Sequence, residues 1–404
     1  MLTFLDARAK ILDGVARLPS ERVSLADGCG RVLAEPLVAE RPLPPFSQSA
    51  MDGYALRLGD LAAPPFRLPV ASEESRAGKP APVLPSGAAC RIFTGAEVPR
   101  GADTVVMQED VAREGDFIVL ASHPRTGAHI RAAGEDIQPG QEAIAAGTRL
   151  HPGHLSLAAS LDRGDLVVAR RPRVAIVCTG DELRAPGAPG GPASIPNSNG
   201  VALAALVRQV GGEPRVLPPV GDDLDATAAA LTEALAGSDL VLTVGGVSVG
   251  DHDVVRPALE RAGVTLDFYK VAIKPGKPLV FGRRDAGAAI TRVLGLPGNP
   301  ASAVTTFVLF AAPLLRALQG DAAPIPLLLP ARLGGVVRHK PGRLEFARVT
   351  LERRGPDLVA MPFANQASGA TTTTGWATGL ALVPLESGDL SEGATVDVLQ
   401  LGDV

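Results

Sequence analysis

A glycine-rich stretch near the middle of the chain, Asp239 to Asp253, has residue types that could bind an anion. Its first part is a continuous apolar run, which predicts a buried parallel strand. The run then breaks into small residues and ends in two acids before a helix-like segment: Gly245, Gly246, Ser248, Gly250, Asp251 and Asp253. Backbone N–H groups that converge in such a turn favour an anion, and the acids suit a metal ion or a helix cap. The same glycines also fit a tight turn that only requires positive φ, so this segment alone leaves both interpretations open.

Lysine is scarce except in one short segment. Six of the 39 basic residues are lysines, and half of these are Lys270, Lys274 and Lys277. Because the chain uses arginine almost everywhere else, the lysines indicate a place where a compact ammonium group fits against a small anion. The cluster therefore favours phosphate or another oxyanion as a ligand.

From Arg173 to about residue 320, apolar strand-like runs alternate with helix-like runs, which predicts a central doubly wound α/β domain. Ligands of such sheets bind at the carboxyl ends of the strands, so the loops that follow the strands should meet at one edge. Four polar loops occupy these positions: Asp181–Glu182, Asp222–Asp223, Gly245 to Asp253 and Pro297 to Pro300. Carboxylates suit Mg²⁺ that bridges to phosphates. The combination predicts metal-assisted chemistry on a phosphorylated or nucleotide substrate.

Other classes of enzyme fit the sequence less well. It contains neither a Walker A motif nor a G-x-G-x-x-G fingerprint after a strand. Gly246 to Gly250 matches the G-x-S-x-G of a nucleophile elbow, with Ser248 as the nucleophile. The downstream histidines are His252, which is too near in sequence, and His339, which lies beyond the predicted sheet. A serine hydrolase is therefore disfavoured but remains an alternative.

Composition limits the kind of protein further. A chain of 404 residues predicts several domains. A net charge of −4 and an aromatic content of 3 % argue against nucleic-acid binding. Dispersed cysteines (Cys29, Cys90 and Cys178) and an N-terminus without a signal-peptide pattern indicate a cytoplasmic protein. The apolar segment 301–318 is interpreted as a core helix, because it is too short and interrupted to span a membrane.

The regions that flank the central domain are predicted to be mostly β-structure after an N-terminal amphipathic helix. They contain four short polar motifs: Asp52–Gly53, Thr94–Gly95, Arg131 to Asp136 and Asn365 to Thr374. Ordinary turn chemistry explains each motif locally. The alternative for the last of them is a polar loop that reaches into the crevice of the central domain.

Taken together, the motifs resemble the molybdopterin molybdenumtransferase family, of the MoeA and gephyrin E-domain type. The segments that carry this resemblance run through nearly the whole chain: PPFSQSAMDGYA, RIFTGAEVPRGADTVVMQED, RAAGEDI, VCTGDEL, TVGGVSVGDHD, KVAIKPGKP and LPGNPAS. The resemblance implies an elongated homodimer with a central domain similar to the molybdopterin-adenylating proteins, one of which is a possible partner. The implied reaction converts adenylylated molybdopterin and molybdate, with Mg²⁺, into molybdenum cofactor and AMP.

The resemblance also implies four domains, which we place on this chain as follows. Domain I comprises residues 1–45 and 147–172, domain II is the inserted β-rich segment 46–146, domain III is the central α/β segment 173–320, and domain IV is the C-terminal β segment 321–404. In such a dimer the N-terminal loops of one subunit approach the central crevice of the other. The N-terminal motifs would then belong to a composite active site.

The functional positions that the resemblance carries over are Asp52, Thr94, Arg131, Asp136, Glu182, Asp222, Asp253, Lys270, Lys274 and Ser368. Our hypothesis is that the acids and the first two lysines are catalytic, with Glu182, Asp222 and Asp253 holding Mg²⁺ or orienting water. The remaining residues are predicted to bind substrate: Thr94, Arg131, Gly245, Gly246, Ser248, Gly250, Lys277, Pro297 and Ser368.

The chain departs from the family pattern at two places. Ser47 and Gln48 stand where an acid is usual after the phenylalanine of the first motif, and Ala367 replaces the glycine that usually precedes the serine. A specialised paralogue would show departures of this kind, and the second lies directly beside Ser368. Two further alternatives are the preceding adenylation step and a non-catalytic scaffold. The N-terminal domains argue against the first, and the full set of acids and lysines argues against the second.

Overall fold

The computed structural model describes residues 1–246, 254–287 and 289–403. Ser248, Gly250, Asp251, His252 and Asp253 lie outside these residues. The N-terminal part contains two helices and twelve short strands: α1 (Phe4–Leu12), β1 (Ser20–Ser24), β2 (Leu37–Val38), β3 (Gln48–Ser49), β4 (Gly53–Leu56), β5 (Phe66–Pro69), β6 (Cys90–Ile92), β7 (Thr104–Met107), β8 (Val111–Glu114), β9 (Phe117–Leu120), β10 (Ile130–Arg131), β11 (Glu142–Ile144), α2 (Pro152–Ser160) and β12 (Asp165–Ala169).

The N-terminal strands form several small antiparallel sheets. Strands β1 and β12, which are more than 140 residues apart in sequence, pair along five residues. The inserted segment contains two three-stranded sheets, in the orders β6-β4-β7 and β5-β9-β8. Strands β3 and β10 pair so that Gln48 lies opposite Arg131, which brings together two of the segments that carry the family resemblance.

Helix α1 packs on the central domain. The Thr3 side chain accepts the N–H of Asp6 and caps the helix. Phe4 and Ile11 lie on its buried face. The Phe4 ring meets Phe310 of the central domain and Phe346 of the C-terminal domain edge to face. Burial of such side chains stabilises the fold by about 1.5–3 kcal/mol each. The helix therefore contributes to the core between those two domains. The four domain boundaries proposed from the sequence stay predictions.

The described residues of the central domain form nine strands and five α-helices: β13 (Arg173–Cys178), β14 (Leu183–Arg184), β15 (Ile195–Pro196), α3 (Ser198–Gln209), β16 (Glu213–Val216), α4 (Leu224–Leu235), β17 (Leu240–Val244), α5 (Val255–Arg261), β18 (Thr265–Lys270), β19 (Ile273–Lys274), β20 (Pro278–Ala286), β21 (Ala289–Leu296), α6 (Pro300–Thr306) and α7 (Ala312–Leu318). Its six-stranded sheet has the order β16-β13-β17-β21-β20-β18. The first four strands are parallel, whereas β20 and β18 are antiparallel to their neighbours.

Both faces of this sheet are covered by helices, which confirms the doubly wound fold. Along β13, Val174 and Ile176 pack towards α3, α6 and α7, while Ala175 and Val177 pack towards α4 and α5. The strand is apolar at successive positions because side chains of a parallel strand alternate between two buried faces.

The apolar helix Pro300–Leu318 is buried inside the molecule. Its 19 residues are long and apolar enough to cross a membrane, so the argument from length was wrong, but 83 % of its most apolar window is buried in the protein. The prediction of a core helix is confirmed on that ground. The Ala312 N–H donates to the Phe307 carbonyl, one residue further back than in an α-helix, and Pro313 supplies no N–H. A π-helical turn over Phe307–Ala311 results.

The C-terminal domain is a small closed sheet with one added helix: β22 (Leu328–Leu333), β23 (Leu344–Arg354), β24 (Asp357–Pro362), α8 (Thr371–Trp376), β25 (Gly379–Val383) and β26 (Thr395–Gln400). The strand order β23-β24-β22-β26-β25 closes because β25 also pairs with β23. The threonine run forms α8 and not only a loop. Strand β19 leaves the central domain and pairs with β23, so that Lys274 lies opposite Glu345.

Candidate functional site

A crevice opens at the carboxyl ends of β13, β17 and β21, and its volume is about 830 Å³. It has the size and position expected for a small-molecule site in this class of fold. Five of the predicted site residues line it, namely Glu182, Asp222, Gly245, Gly246 and Pro297. The sequence prediction that these strand-end loops meet is therefore confirmed by the geometry.

The two glycines after β17 allow the loops to approach closely. A Cβ atom on Gly245 would lie 2.5 Å from the Thr179 carbonyl oxygen, and one on Gly246 would lie 2.5 Å from a methyl group of Val255. Both residues also have positive φ, +93° and +59°. The Gly245 N–H donates to the Leu296 carbonyl, so this amide is already used. The described part of the turn shapes the crevice through its small size.

The acidic loops hold one another in position. Asp181 Oδ1 accepts the Asp222 N–H at 3.0 Å, which joins the loop after β13 to the loop after β16. The Glu182 carboxylate lies against Gly180, where a Cβ atom would approach Glu182 Oε2 to 2.6 Å. Asp223, in contrast, caps α4 by accepting the Ala226 N–H. The adjacent acids at 222 and 223 therefore have different tasks.

Two of the three predicted metal ligands, Glu182 and Asp222, line the crevice, and the third, Asp253, lies outside the described residues. Among residues 1–246, 254–287 and 289–403, His, Cys, Asp and Glu side chains nowhere gather in a group of three or more that could hold a metal ion. Two carboxylates are nevertheless a donor set that suits Mg²⁺ when substrate phosphates and water supply the remaining oxygens.

The three clustered lysines lie in different environments. Lys274 Nζ lies 2.9 and 3.0 Å from the two carboxylate oxygens of Glu345. Lys270 Nζ lies 5.4 Å from the centre of the Tyr269 ring, and Lys277 is exposed. None of the three is among the described residues that line the crevice, although Pro278 is. The lysine-rich segment Lys270 to Lys277 was predicted from the sequence, but the contact of Lys274 with Glu345 was not.

The C-terminal domain contributes one edge of the crevice. Ser368 Oγ accepts a hydrogen bond from Asn299 Nδ2 at 3.0 Å, and the Ser368 carbonyl accepts the Ala301 N–H at 3.1 Å. Gly369 and Thr371 then line the crevice. The alternative in which this loop reaches the crevice thus describes the structure better than a solvated turn.

Arg348 on β23 anchors the Ser368 loop through its guanidinium group. Its Nη2 donates to the carbonyls of Asn365 and Ala367, and its Nε donates to Thr373 Oγ1 at 3.0 Å. Burial lowers the pKa of the Arg348 guanidinium, and the nearby charge of Glu345 opposes that effect. Arg348 and Glu345 were not predicted from the sequence, although charged residues inside the apolar strand sequence LEFARV were an available signal. Asn299 lies in the predicted polar loop Pro297 to Pro300 but was not named as a site residue.

Some of the predicted N-terminal site residues form a polar group of their own. Asp52 Oδ1 accepts the backbone N–H of Thr94 at 2.8 Å and its hydroxyl at 2.9 Å. These two bonds, aided by the charge of Arg91, lower the pKa of the Asp52 carboxyl. None of these residues is among the described lining of the crevice.

A second polar group consists of Arg131 at strand β10 and two acids that follow it. Arg131 donates to Glu135 and to Asp136, the latter at 2.8 Å, and both bonds raise the pKa of the guanidinium. Ser47, one of the departures from the family pattern, accepts the Ala133 N–H at 3.2 Å and so anchors the same loop.

The nucleophile-elbow alternative gains no support from the described residues. Ser248 and His252 lie outside them. The Nδ1 of His339 lies 2.7 Å from Glu345 Oε2, and the residue is only 5 % exposed. A buried histidine of the C-terminal domain that already bonds a carboxylate of the same domain is not placed to activate a serine of the central domain.

A doubly wound domain with a polar crevice at its strand ends, edged by a loop of a β domain, defines a multidomain α/β protein with a small-molecule site. Three family descriptions match in chain order: "MoeA N-terminal region (domain I and II)" over residues 2–161, "Probable molybdopterin binding domain" over 175–317 and "MoeA C-terminal region (domain IV)" over 330–401. The chain belongs to the molybdopterin molybdenumtransferase family. The fold class and the enzyme class predicted from the motifs are thereby confirmed.

Similar proteins cover the chain almost completely. It is 37 % identical over 411 residues to the molybdopterin molybdenumtransferase of Synechococcus elongatus, which spans 99 % of this chain and 100 % of that protein. The corresponding protein of Nostoc sp. is 36 % identical over 401 residues and spans 95 % and 89 % of the two chains. A crystal structure of the molybdopterin biosynthesis MoeA protein of Pyrococcus horikoshii superimposes with a TM-score of 0.86 at 28 % identity, covering 99 % of this chain and 100 % of that one.

Proposed function

We propose that the protein inserts molybdate into adenylylated molybdopterin with release of AMP, in a Mg²⁺-dependent reaction, as a cytoplasmic homodimer. The observation that carries this proposal is the crevice in which Glu182 and Asp222 of the central domain meet the Ser368 loop of the C-terminal domain. Family membership supports the reaction, since relatives such as the Synechococcus elongatus protein are named molybdopterin molybdenumtransferase.

The crevice suits a substrate with an adenylate and a pterin part. Its volume of about 830 Å³ lies at the upper end of the range for small-molecule sites. Asn199 donates to the Gly298 carbonyl and Asn299 to Ser368, so polar amide side chains are fixed at its wall. Fixed amides at a crevice wall give orientation and specificity to a ligand.

Glu182 and Asp222 would hold Mg²⁺ between the protein and the substrate phosphate, and the bound ion would stabilise charge on the phosphate oxygens. The protein's own contribution is to keep the two carboxylates in place. Asp181 does this for Asp222 through the bond to its N–H. Asp253 is proposed to complete the set, although it lies outside the described residues.

We assign Lys270, Lys274 and Lys277 to the stabilisation of phosphate and oxomolybdate charge. A lysine ammonium group is a compact cation with three donors, which fits the tetrahedral molybdate anion. Lys274 is held by Glu345 and remains 38 % exposed. Its orientation is therefore fixed while its charge stays accessible to an anion.

The exposed N-terminal group supports a composite site across a homodimer. Asp52, Thr94 and Asp136 are exposed, yet their side chains are ordered by hydrogen bonds. These side chains are held in place but are not among the described residues that line the crevice of their own chain. They are therefore available to bind substrate in the crevice of a second copy. The substrate would come from a molybdopterin-adenylating protein, which is the partner that this chemistry implies.

The deciding experiment supplies purified protein with adenylylated molybdopterin, molybdate and Mg²⁺, and follows AMP and cofactor formation. AMP release that depends on molybdate is expected. No AMP release would overturn the proposal, and ATP consumption with free molybdopterin would favour the adenylation step. Loss of ester hydrolysis in Ser248→Ala would revive the hydrolase. Light scattering tests for a dimer in solution.

A further inference from the structure

Three side chains, Lys274, Glu345 and His339, contact one another in a row, and Lys274 is the partly exposed end of that row. Its ammonium group contacts both carboxylate oxygens of Glu345, and Glu345 Oε2 also lies 2.7 Å from His339 Nδ1. The Glu345 and His339 side chains are only 2 % and 1 % exposed. Lys274 lies on β19, the strand that leaves the central domain and pairs with β23. Glu345 and His339 belong to the C-terminal domain.

The hydrogen bonds indicate which form His339 takes. Because the Glu345 carboxylate accepts, the proton lies on Nδ1 of the imidazole. The Nε2 atom is buried and has no hydrogen-bond partner among the described residues. The His339 backbone is also fixed, because its N–H donates to Asp389 Oδ1 at 2.8 Å.

Lys274 contacts both carboxylate oxygens of the buried Glu345. The buried Arg348 guanidinium also interacts with the charge of Glu345, and it is already bonded to the Ser368 loop. The lysine side chain has four flexible bonds, and a bidentate contact to a rigid buried carboxylate fixes its end. Strand β23 therefore carries the supports of two predicted site elements, Lys274 and the Ser368 loop.

We infer that Glu345, oriented by His339, is a positioning residue that sets Lys274 for contact with the anionic substrate. This inference rests on the proposed function, because Lys274 belongs to the proposed site. A purely structural ion pair that ties β19 to the barrel would predict lower stability with unchanged turnover. A positioning role predicts that turnover falls more than stability explains.

The test compares Glu345→Gln, which keeps the shape and removes the charge, with Asp321→Asn as a matched control. Asp321 is 7 % exposed and pairs with Arg149, away from the crevice. At equal folded fraction, Glu345→Gln should lower kcat by roughly 10- to 100-fold with a smaller change in KM, whereas the control should stay within about twofold. Wild-type kcat in Glu345→Gln, or an increase, would overturn the inference.

Two histidine variants test the same idea if Glu345→Gln does not fold. His339→Asn keeps a donor near the Nδ1 position, and His339→Leu removes it. His339→Leu should reproduce the loss of kcat and His339→Asn should restore most of it. Equal kcat in both variants would contradict the positioning role.

A double variant shows whether Glu345 acts through Lys274. Adding Glu345→Gln to Lys274→Ala should leave the residual rate unchanged, since the residue to be positioned is gone. A further loss equal to that in the single variant would overturn the inference. A wild-type protein that releases no AMP would instead remove the proposed function itself, so the two failures are distinguishable.

Discussion

The Asp181 carboxylate accepts the backbone N–H of Asp222 at 3.0 Å, and through this bond the loop after one strand fixes the loop after its neighbour. A Cβ atom on Gly221 would lie 2.6 Å from the same oxygen, so the two loops are in close contact. Asp222 lines the crevice, and its position therefore depends on a residue that is not itself among the described lining.

Asp181→Ala should impair turnover more than folding. Loss of the bond frees the 221–222 turn and should cost about 0.5–1.5 kcal/mol of unfolding free energy. We expect kcat/KM for AMP release to fall by roughly tenfold, because Asp222 is no longer fixed. Asp181→Asn is the matched control, since its amide oxygen can still accept the bond. Equal kcat/KM in both variants would show that this bond does not matter.

Gly245→Ala should destabilise the protein strongly. The new methyl group would meet the Thr179 carbonyl, and the residue would also be held at positive φ. We expect a loss of about 2–4 kcal/mol in urea unfolding. Gly237 has φ +77° but nothing within 4 Å of its Cβ position. Gly237→Ala should therefore cost only about 1 kcal/mol, and an equal loss in both variants would contradict the packing argument.

Arg348→Met should loosen the Ser368 loop. The change leaves the carbonyls of Asn365 and Ala367 without their donor and should lower unfolding free energy by about 2–4 kcal/mol. Amide hydrogen exchange should accelerate in the segment 365–371. Arg353, exposed on the same strand, provides the control variant Arg353→Met, for which exchange should not change. Unaltered protection of the loop in Arg348→Met would remove the proposed support.

Asp52 should make stability depend on pH. Its hydrogen bonds to Thr94 hold its pKa below the ordinary carboxyl value, so the folded state binds this proton less readily than the unfolded state. The stabilisation is present above the unfolded pKa of about 3.9 and is lost as the pH falls through the lower folded value. The difference in unfolding free energy between wild type and Asp52→Asn should thus be constant from neutral pH to about pH 5 and shrink below about pH 4. A difference that does not vary with pH would contradict this.

Much of the fold could be predicted because its pattern is local. The continuous apolar run 174–178 indicates a strand buried on both faces. The crevice rule then places Glu182 and Asp222 at the same edge of the sheet. The amphipathic pattern of α1 shows that one face is buried, but not that Phe4 packs between Phe310 and Phe346. Which surface a helix covers depends on the tertiary fold.

The supports of the site were missed for a similar reason. Glu345 meets Lys274 from 71 residues away, and Ser368 meets Asn299 from 69 residues away. No spacing rule connects such positions, because they become neighbours only when β19 joins the C-terminal sheet. The lysine cluster looked like one anion site in sequence, whereas the fold gives each lysine its own surroundings.

The adjacent acids Asp222 and Asp223 allow the most direct test of the proposed reaction. One lines the crevice and the other caps α4, so Asp223→Asn keeps a good capping residue and leaves the crevice intact. AMP release should be measured with adenylylated molybdopterin and Mg²⁺, with and without molybdate, in the wild type and both variants. The account predicts AMP release equimolar with bound molybdenum in wild type and Asp223→Asn, and at least about a hundredfold slower release in Asp222→Asn. Wild-type AMP release that does not depend on molybdate would contradict the account, as would equal rates of AMP release in Asp222→Asn and Asp223→Asn.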